Sequence, residues 1–320
     1  MVNKCLLVVV TLTFGFALSG HAQVEYGPLQ TYSQSPFQTN ALSPQLRSGF
    51  SLPIDEKELF ITGTIASIWA VTETYELDYY QNQIALGGTW QLNAKWQLSL
   101  NYRWNYAGNN HLDGLTTAFH DAFGLDQNGR KDVDENRFVI SVPEYDIDEA
   151  NFRGETLSNA LTLYAQYQLI EKVHHGASLG LSWYFNNADQ SILSTSKFQQ
   201  ALQINYGYIR NQHRLDAIVS FTCRHSSDVL GSFPTKETTL SAGLSYRYRF
   251  WQAHQLIGQL MVYEGISEGR DEFSKPATEF TLGYRYQFEH SAVELTATEN
   301  MFNADNSTDI AFSLGYRYRF

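Results

Sequence analysis

Two sets of side chains in this 320-residue sequence could do chemistry. The first is the pair His225 and Ser227, in which the imidazole could activate the hydroxyl for attack on an acyl ester. Such a nucleophile needs a third group that orients the imidazole. The residues of matching parity on the next predicted strand are Lys236, Thr238 and Leu240, and none is a carboxylate. The missing third group counts against catalysis.

The second set consists of arginines that alternate with aromatic residues. Segments 244–250, 282–288 and 314–320 repeat one pattern, with Tyr and Phe on one parity and mostly Arg on the other. A ring of charge at a constriction selects ions, so inward arginines would favour anions. Paired with carboxylates, the same arginines would instead fill a small lumen, which is the interpretation favoured here. The predicted lumen-lining residues are Arg103, Arg214, Arg247, Arg249, Arg285, Arg317, Arg319, Asp216, Glu279 and Glu294.

These side chains lie in segments where apolar and polar residues alternate with a period of two, which is the period of a β-strand. Phe312, Leu314, Tyr316, Tyr318 and Phe320 share one face of a predicted strand whose other face carries Ser, Gly and Arg. One face therefore meets apolar surroundings and the other meets water. The five apolar residues resemble the signal that the barrel-assembly machinery reads.

The same alternation recurs along the chain and predicts an all-β fold, a transmembrane antiparallel up-and-down β-barrel of about 12 strands. An even number is typical of single-chain bacterial barrels, as are short turns at one end and long loops at the other. Residues 49–53 could add to the sheet. The predicted strands are 57–72, 77–91, 95–106, 154–169, 174–186, 197–209, 213–225, 236–250, 254–264, 275–288, 290–300 and 308–320.

Three parts of the chain differ from this pattern. Residues 1–22 have the basic start, apolar run and small residues of a signal peptide. Residues 23–56 are predicted to form a periplasmic arm or partial plug, and residues 57–320 the barrel. In the long outer loop 107–153, Leu115, Phe119 and Phe123 are predicted to lie on one face of a short helix, before an acidic stretch that is expected to be solvated.

Composition narrows the possible partners. The net charge of -11 argues against nucleic acid, and Cys223 alone remains after the signal peptide, so no intrachain disulfide is possible. Twenty Tyr and twenty Phe fit interfacial aromatic girdles. The expected partners are outer-membrane lipid, lipopolysaccharide and, during biogenesis, the assembly machinery. No cofactor or metal is expected.

Two short motifs carry a family resemblance. Residues 26–29 (Tyr-Gly-Pro-Leu) and 119–125 (Phe-His-Asp-Ala-Phe-Gly-Leu) resemble signatures of a Gram-negative outer-membrane family catalogued as domain of unknown function 3187. The resemblance implies a barrel in the cell outer membrane and no established activity.

Three functional hypotheses follow. The first is an outer-membrane barrel that acts as a structural scaffold or as a narrow pore for small solutes, anionic ones included. The second is a lipid hydrolase that uses His225 and Ser227, which lie where an ascending strand reaches the outer leaflet, in a position similar to that in outer-membrane phospholipases and lipid A deacylases. The third is a surface adhesin or partner-binding barrel.

Overall fold

The computed structural model describes residues 25–112, 114, 116–117, 133–134, 136–188, 195–224, 233–269, 272–303, 306 and 308–320. Its architecture is almost entirely β. The strands are β1 (Lys57–Val71), β2 (Glu76–Gln91), β3 (Trp96–Ala107), β4 (Val139–Val142), β5 (Ile147–Ala150), β6 (Thr156–Glu171), β7 (His175–Ala188), β8 (Thr195–Arg210), β9 (His213–Arg224), β10 (Thr238–Arg249), β11 (His254–Tyr263), β12 (Ala277–Gln287), β13 (Ser291–Phe302) and β14 (Ile310–Arg319).

Twelve of these strands close into a barrel. Each pairs antiparallel with its neighbours, and β1 pairs with both β2 and β14, which removes the open edges of the sheet. The predicted twelve-stranded barrel is therefore confirmed. The short hairpin β4–β5 is an addition that the sequence analysis missed, since residues 107–153 were expected to be irregular apart from a helix. The hairpin extends the sheet by pairing with β2 at Glu76–Asp78.

The two ends of the barrel differ in their connections. At one end, here called the short-turn end, the strands are joined through residues 92–95, 172–174, 211–212, 250–253 and 288–290. At the other, the long-loop end, the connections 108–155, 225–237, 264–276 and 303–309 are longer, with 72–75 as a short exception. This asymmetry was predicted. Residues 49–53, which were considered as a further strand, do not join the sheet.

The barrel presents its apolar face outward. On β8 and β9, Ile204 and Val219 are paired across the sheet and are 57% and 58% exposed, whereas their neighbours Gln203 and Ser220 are buried. The burial of β1 alternates in the same way over its first ten residues. A protein folded in water buries its apolar face, so this inverted arrangement fits a barrel surrounded by lipid.

Helical structure is minor. The part of the chain that the structure describes includes 3-10 turns at Gln38–Asn40, Pro143–Tyr145 and Glu272–Ser274. Among the described residues, no helix has the length and apolar character needed to cross a membrane. The predicted loop helix stays a prediction, because Leu115, Phe119 and Phe123 lie outside the described residues.

Candidate functional site

Residues 25–53, here called the plug segment, run through the barrel lumen. They form no strand, so their backbone groups need partners from elsewhere. Wall side chains supply them: the amide N–H groups of Leu29 and Leu42 donate to the side-chain oxygens of Gln259 and Gln199, each at 2.7 Å. The sequence left open whether the arm hangs free or enters the lumen, and these contacts lie inside. The division at residues 22 and 56 stays a prediction, since residues 1–24 lie outside the described part.

The predicted lumen-lining arginines bind the start of this segment through its backbone carbonyls. Four guanidinium groups donate to four consecutive carbonyl oxygens. The bonds are Arg319 Nη2 to Glu25 O at 3.1 Å, Arg214 Nη1 to Tyr26 O at 3.2 Å, Arg285 Nη2 to Gly27 O at 2.8 Å and Arg317 Nη1 to Pro28 O at 2.7 Å. Hydrogen bonds from charged donors are stronger than neutral ones. Three of the four residues of the motif at 26–29 are therefore held by arginines through their carbonyl oxygens.

Tyr26 is the centre of this contact. Its ring lies 4.8 Å from the guanidinium carbon of Arg319, 5.0 Å from that of Arg317 and 5.7 Å from that of Arg285. Its hydroxyl donates to the backbone oxygen of His290 at 2.7 Å. Cations over an aromatic face are attracted by its quadrupole. Burial raises the pKa of Tyr26 to about 12, so the hydroxyl stays a donor at neutral pH.

Carboxylates balance the arginine charges. Arg214 pairs with Asp216 at 2.6 Å, and Arg285 with Glu294 at 2.6 Å. Asp216 and Glu294 belong to the predicted lumen-lining set. Two further carboxylates, Glu58 and Glu25, were not predicted: Glu58 pairs with Arg317 and Arg319, and Glu25 with Arg247 and Arg249.

Glu25 links the plug segment to strand β10. Burial alone would raise its pKa, but the charges of Arg247 and Arg249 outweigh this effect and hold the pKa of Glu25 below its usual range. The carboxylate is therefore charged at neutral pH, and the ion pairs are formed.

Glu279 departs from the predicted pairing with arginine. Its carboxylate accepts hydrogen bonds from the hydroxyls of Ser33 and Ser35, at 2.8 and 2.7 Å. Arg103 likewise donates to the carbonyl oxygens of Thr39 and Ala41, at 3.0 and 3.2 Å. Both residues contact the plug segment and hold it.

Three glycines let the plug segment touch the wall. A Cβ at Gly49 would lie 2.3 Å from the backbone nitrogen of Gly207 and 2.5 Å from the carbonyl oxygen of Gly176. Gly176 and Gly207 are paired across β7 and β8. The aromatic ring of Phe50 fills the space that a side chain at either wall glycine would need. This approach of backbone to backbone excludes every residue except glycine at position 49.

Phe37 closes the long-loop end. Its ring stacks on Phe233 at 4.4 Å between centroids and meets the edge of Phe273 at 5.0 Å. The buried cluster around it includes Tyr75 and Ile140. Phe37 has a φ of 61°, a conformation that a bulky residue seldom adopts. Such strain persists where surrounding contacts fix the residue, here the aromatic rings that hold Phe37.

A cavity of about 420 Å³ remains at the short-turn end. It lies between the wall and two parts of the plug segment, here called the first limb (residues 25–30) and the second limb (residues 46–53). Its apolar lining includes Leu46, Phe50 and Leu52, and its charged lining consists of Glu25, Arg47, Glu56, Glu58, Glu171, Arg214, Arg317 and Arg319.

Several predictions from the sequence concern residues outside this site. His225, Ser227 and the motif at residues 119–125 lie outside the described residues, so the hydrolase hypothesis stays untested. The C-terminal apolar residues face outward as predicted; Leu314, Tyr316, Tyr318 and Phe320 are exposed and Phe312 is half-buried. Their role in assembly stays a prediction.

Arg47, which lines the cavity, was not predicted as a functional residue, because residues 23–44 and their neighbours show no periodicity.

Comparison with known proteins identifies a family and a fold. A family model described as Protein of unknown function (DUF3187) matches residues 5–320. The COG4313 outer membrane channel from Pseudomonas putida F1 is 14% identical, with a TM-score of 0.54 over 88% of this chain and 100% of that chain. At this identity the likeness shows the fold alone.

Two porins are more distant. The NanC porin is 10% identical with a TM-score of 0.47, over 81% of this chain and 98% of that chain. The KdgM porin is 8% identical with a TM-score of 0.43, over 82% of this chain and 99% of that chain. The comparison with curated proteins gives no match.

Proposed function

The chain belongs to the family described as Protein of unknown function (DUF3187), and we propose that it is a channel of the outer membrane. Its lumen is occupied by the plug segment, which restricts passage to small solutes, anions among them. The observation that carries this proposal is the course of residues 25–53 through the lumen. Polar contacts to the wall, which a solute or a conformational change can exchange, hold the plug segment from Glu25 to Leu29, and apolar contacts hold it around Phe37.

Placement in the outer membrane is part of the proposal. The outward apolar belt supports it, and so does a ring of aromatic residues at the short-turn end. There the Nδ1 atoms of His175, His213 and His254 each lie within hydrogen-bond distance of a tyrosine hydroxyl on the adjacent strand. Rings with one polar edge suit a membrane–water interface. In this orientation the short turns face the periplasm and the long loops face outward.

The two ends of the lumen have different roles in this proposal. The aromatic contacts of Phe37 obstruct the long-loop end, and the charged cavity opens the short-turn end. A solute would therefore need the Phe37 contact to loosen. This predicts a protein with small or rare conductance steps in its resting state.

Single-channel recording in planar bilayers tests the proposal. We expect small or rare current steps for the wild type, and larger steps for a variant that lacks residues 25–53. The double variant Tyr26→Ala, Phe37→Ala retains the whole chain and should also increase conductance, because it removes one anchor at each end. Heat-dependent migration on a gel would check that each barrel has folded.

Two results would contradict the proposal. Equal conductance in all three proteins would mean that the plug segment does not restrict passage. No current in any folded variant would mean a filled scaffold. A reversal potential measured across a KCl gradient would test anion preference, which the arginine set predicts.

A further inference from the structure

Charge around the short-turn cavity is not fully balanced. Arg214, Arg317 and Arg319 each have carboxylate partners, and the lining carboxylate Glu25 has its own arginine partners. With these partners included, seven guanidinium groups face six carboxylates among the described residues. The arginines are Arg47, Arg214, Arg247, Arg249, Arg285, Arg317 and Arg319, and the carboxylates are Glu25, Glu56, Glu58, Glu171, Asp216 and Glu294.

Among the arginines that line the cavity, Arg47 is the one that takes part in no ion pair with another described residue. Its guanidinium carbon lies 4.4 Å from the centroid of the Tyr164 ring, and its Nη2 donates to Gln45 Oε1 at 3.0 Å. No carboxylate of a described residue lies within 4 Å of it, although Arg47 lines the cavity. Burial lowers the pKa of Arg47 and Arg317 acts in the same direction, whereas Tyr164, Tyr32 and the more distant Glu58 oppose this shift. An arginine keeps its proton in proteins, so a positive charge lines the cavity with no carboxylate of the described residues in ion-pair contact.

The rest of the cavity is amphiphilic. Leu46, Phe50 and Leu52 line it together with Arg47, and these four residues all belong to the second limb of the plug segment. A volume of about 420 Å³ lies within the range of sites that hold small molecules. An apolar surface beside a cation that has no ion-pair partner among the described residues fits a ligand with one anionic end and an apolar body.

We infer that this cavity binds a small monoanionic organic acid, whose carboxylate pairs with Arg47 and whose apolar body lies against Phe50 and Leu52. The inference rests on the proposed function, because it names the class of solute that the channel would admit. Such a ligand would contact the limbs of the plug segment, so its binding would be coupled to the segment's position.

Titration calorimetry on the purified mature protein in detergent tests this inference. Benzoate is the probe, benzamide is its uncharged counterpart, and inorganic phosphate is an anion without an apolar body. We expect saturable binding of benzoate, with benzamide and phosphate each at least about tenfold weaker, because each lacks one half of the recognised chemistry. Equal binding of benzamide, or binding of phosphate in preference to benzoate, would overturn the inference.

Three variants locate the site. Arg47→Gln should weaken benzoate binding about tenfold or more, since it removes the charged donor. Leu52→Glu should abolish binding by placing a like charge in the apolar lining. Arg210→Gln is the matched control, because Arg210 is an exposed arginine at the same end of the barrel and does not line the cavity. Unchanged binding in both Arg47→Gln and Leu52→Glu would overturn the inference, as would no binding of benzoate to the wild type.

The two proposals fail separately. If deleting the plug segment raises conductance but benzoate does not bind, the channel stands and the organic-acid site falls. If benzoate binds through Arg47 but deletion leaves conductance unchanged, the site stands and the restricted channel falls.

Discussion

Substituting Val219 by arginine separates a lipid-embedded barrel from a water-exposed one. Val219 is 58% exposed and lies in the middle of β9, six residues after His213 and five before Arg224. Its cross-strand neighbours are Ile204 and Ala242. In water, an arginine at such an exposed site would change stability little. In a bilayer, its charge would have to enter hydrocarbon.

The expected magnitude follows from the depth of the site. Six residues at a rise of about 3.3 Å, tilted by about 40°, place Val219 about 15 Å from the short-turn end of its strand. The apolar band of such barrels is about 25 Å tall, so Val219 lies close to its midplane. There an arginine costs about 2–4 kcal/mol, which corresponds to about 30-fold to 1,000-fold in the folding equilibrium. Val173 is 87% exposed at the turn between β6 and β7, where the same substitution should cost about 0–1 kcal/mol.

The assay is reversible guanidinium unfolding in phospholipid vesicles, followed by tryptophan fluorescence. We expect Val219→Arg to lower the free energy of unfolding by about 2 kcal/mol or more relative to Val173→Arg. Equal and small effects of the two substitutions would refute the placement of the apolar belt in lipid. The comparison is informative because both sites are exposed valines and both variants carry the same new side chain.

Three further predictions concern the plug segment and the hydrolase hypothesis. Gly49→Ala should release the plug segment, because the new Cβ would lie 2.3 Å from the backbone of Gly207. Limited proteolysis of the segment should then be faster than in the wild type. Gly63→Ala is the control, because a Cβ at Gly63 meets nothing within 4 Å. Acidification should weaken the ion pairs of Glu25 only below the pH range in which carboxyl groups usually titrate. Because the pKa of Glu25 is lowered, these ion pairs contribute fully above that range and are lost as the pH falls through the lowered pKa. Proteolysis measured against pH should therefore show an acid transition that Glu25→Gln removes. For the hydrolase hypothesis, Ser227→Ala should leave the release of fatty acid from phospholipid unchanged, and loss of activity in that variant would favour the enzyme.

The barrel could be predicted from the sequence because its signal is local. An apolar outer face and a polar inner face require alternation within each strand, so the side chains of Gln203 and Ile204 indicate their environments without knowledge of the rest of the chain. The positions of the short turns follow from the same pattern. The β4–β5 hairpin was missed because its two strands have four residues each, too few for alternation to stand out from loop sequence.

The plug segment could not be predicted in the same way. It has no periodicity, since its partners are side chains that differ from one residue to the next. Tyr26 meets arginines of three strands, Ser33 meets Glu279, and Leu42 meets Gln199. Each partner is more than 150 residues away along the chain. The arginines were predicted to face inward, but besides carboxylates they bind backbone carbonyls of the plug segment, which every residue has and which no sequence pattern marks.

The use of backbone carbonyls as acceptors bears on how the lumen would open in the proposed channel. Arg214, Arg285, Arg317 and Arg319 each have a carboxylate partner, but the N–H groups that bind residues 25–28 would lose their acceptors if the segment left. A buried N–H group without an acceptor is costly, so something must replace these carbonyl oxygens. Water can do this, and so can an anion, which binds an arginine more strongly than a neutral carbonyl does. Anionic solutes would therefore compete with the plug segment for the groups that hold it, whereas neutral solutes would not. Selectivity and opening would then depend on the same arginines, and neutralising one of them should reduce anion preference and increase the mobility of the plug segment together.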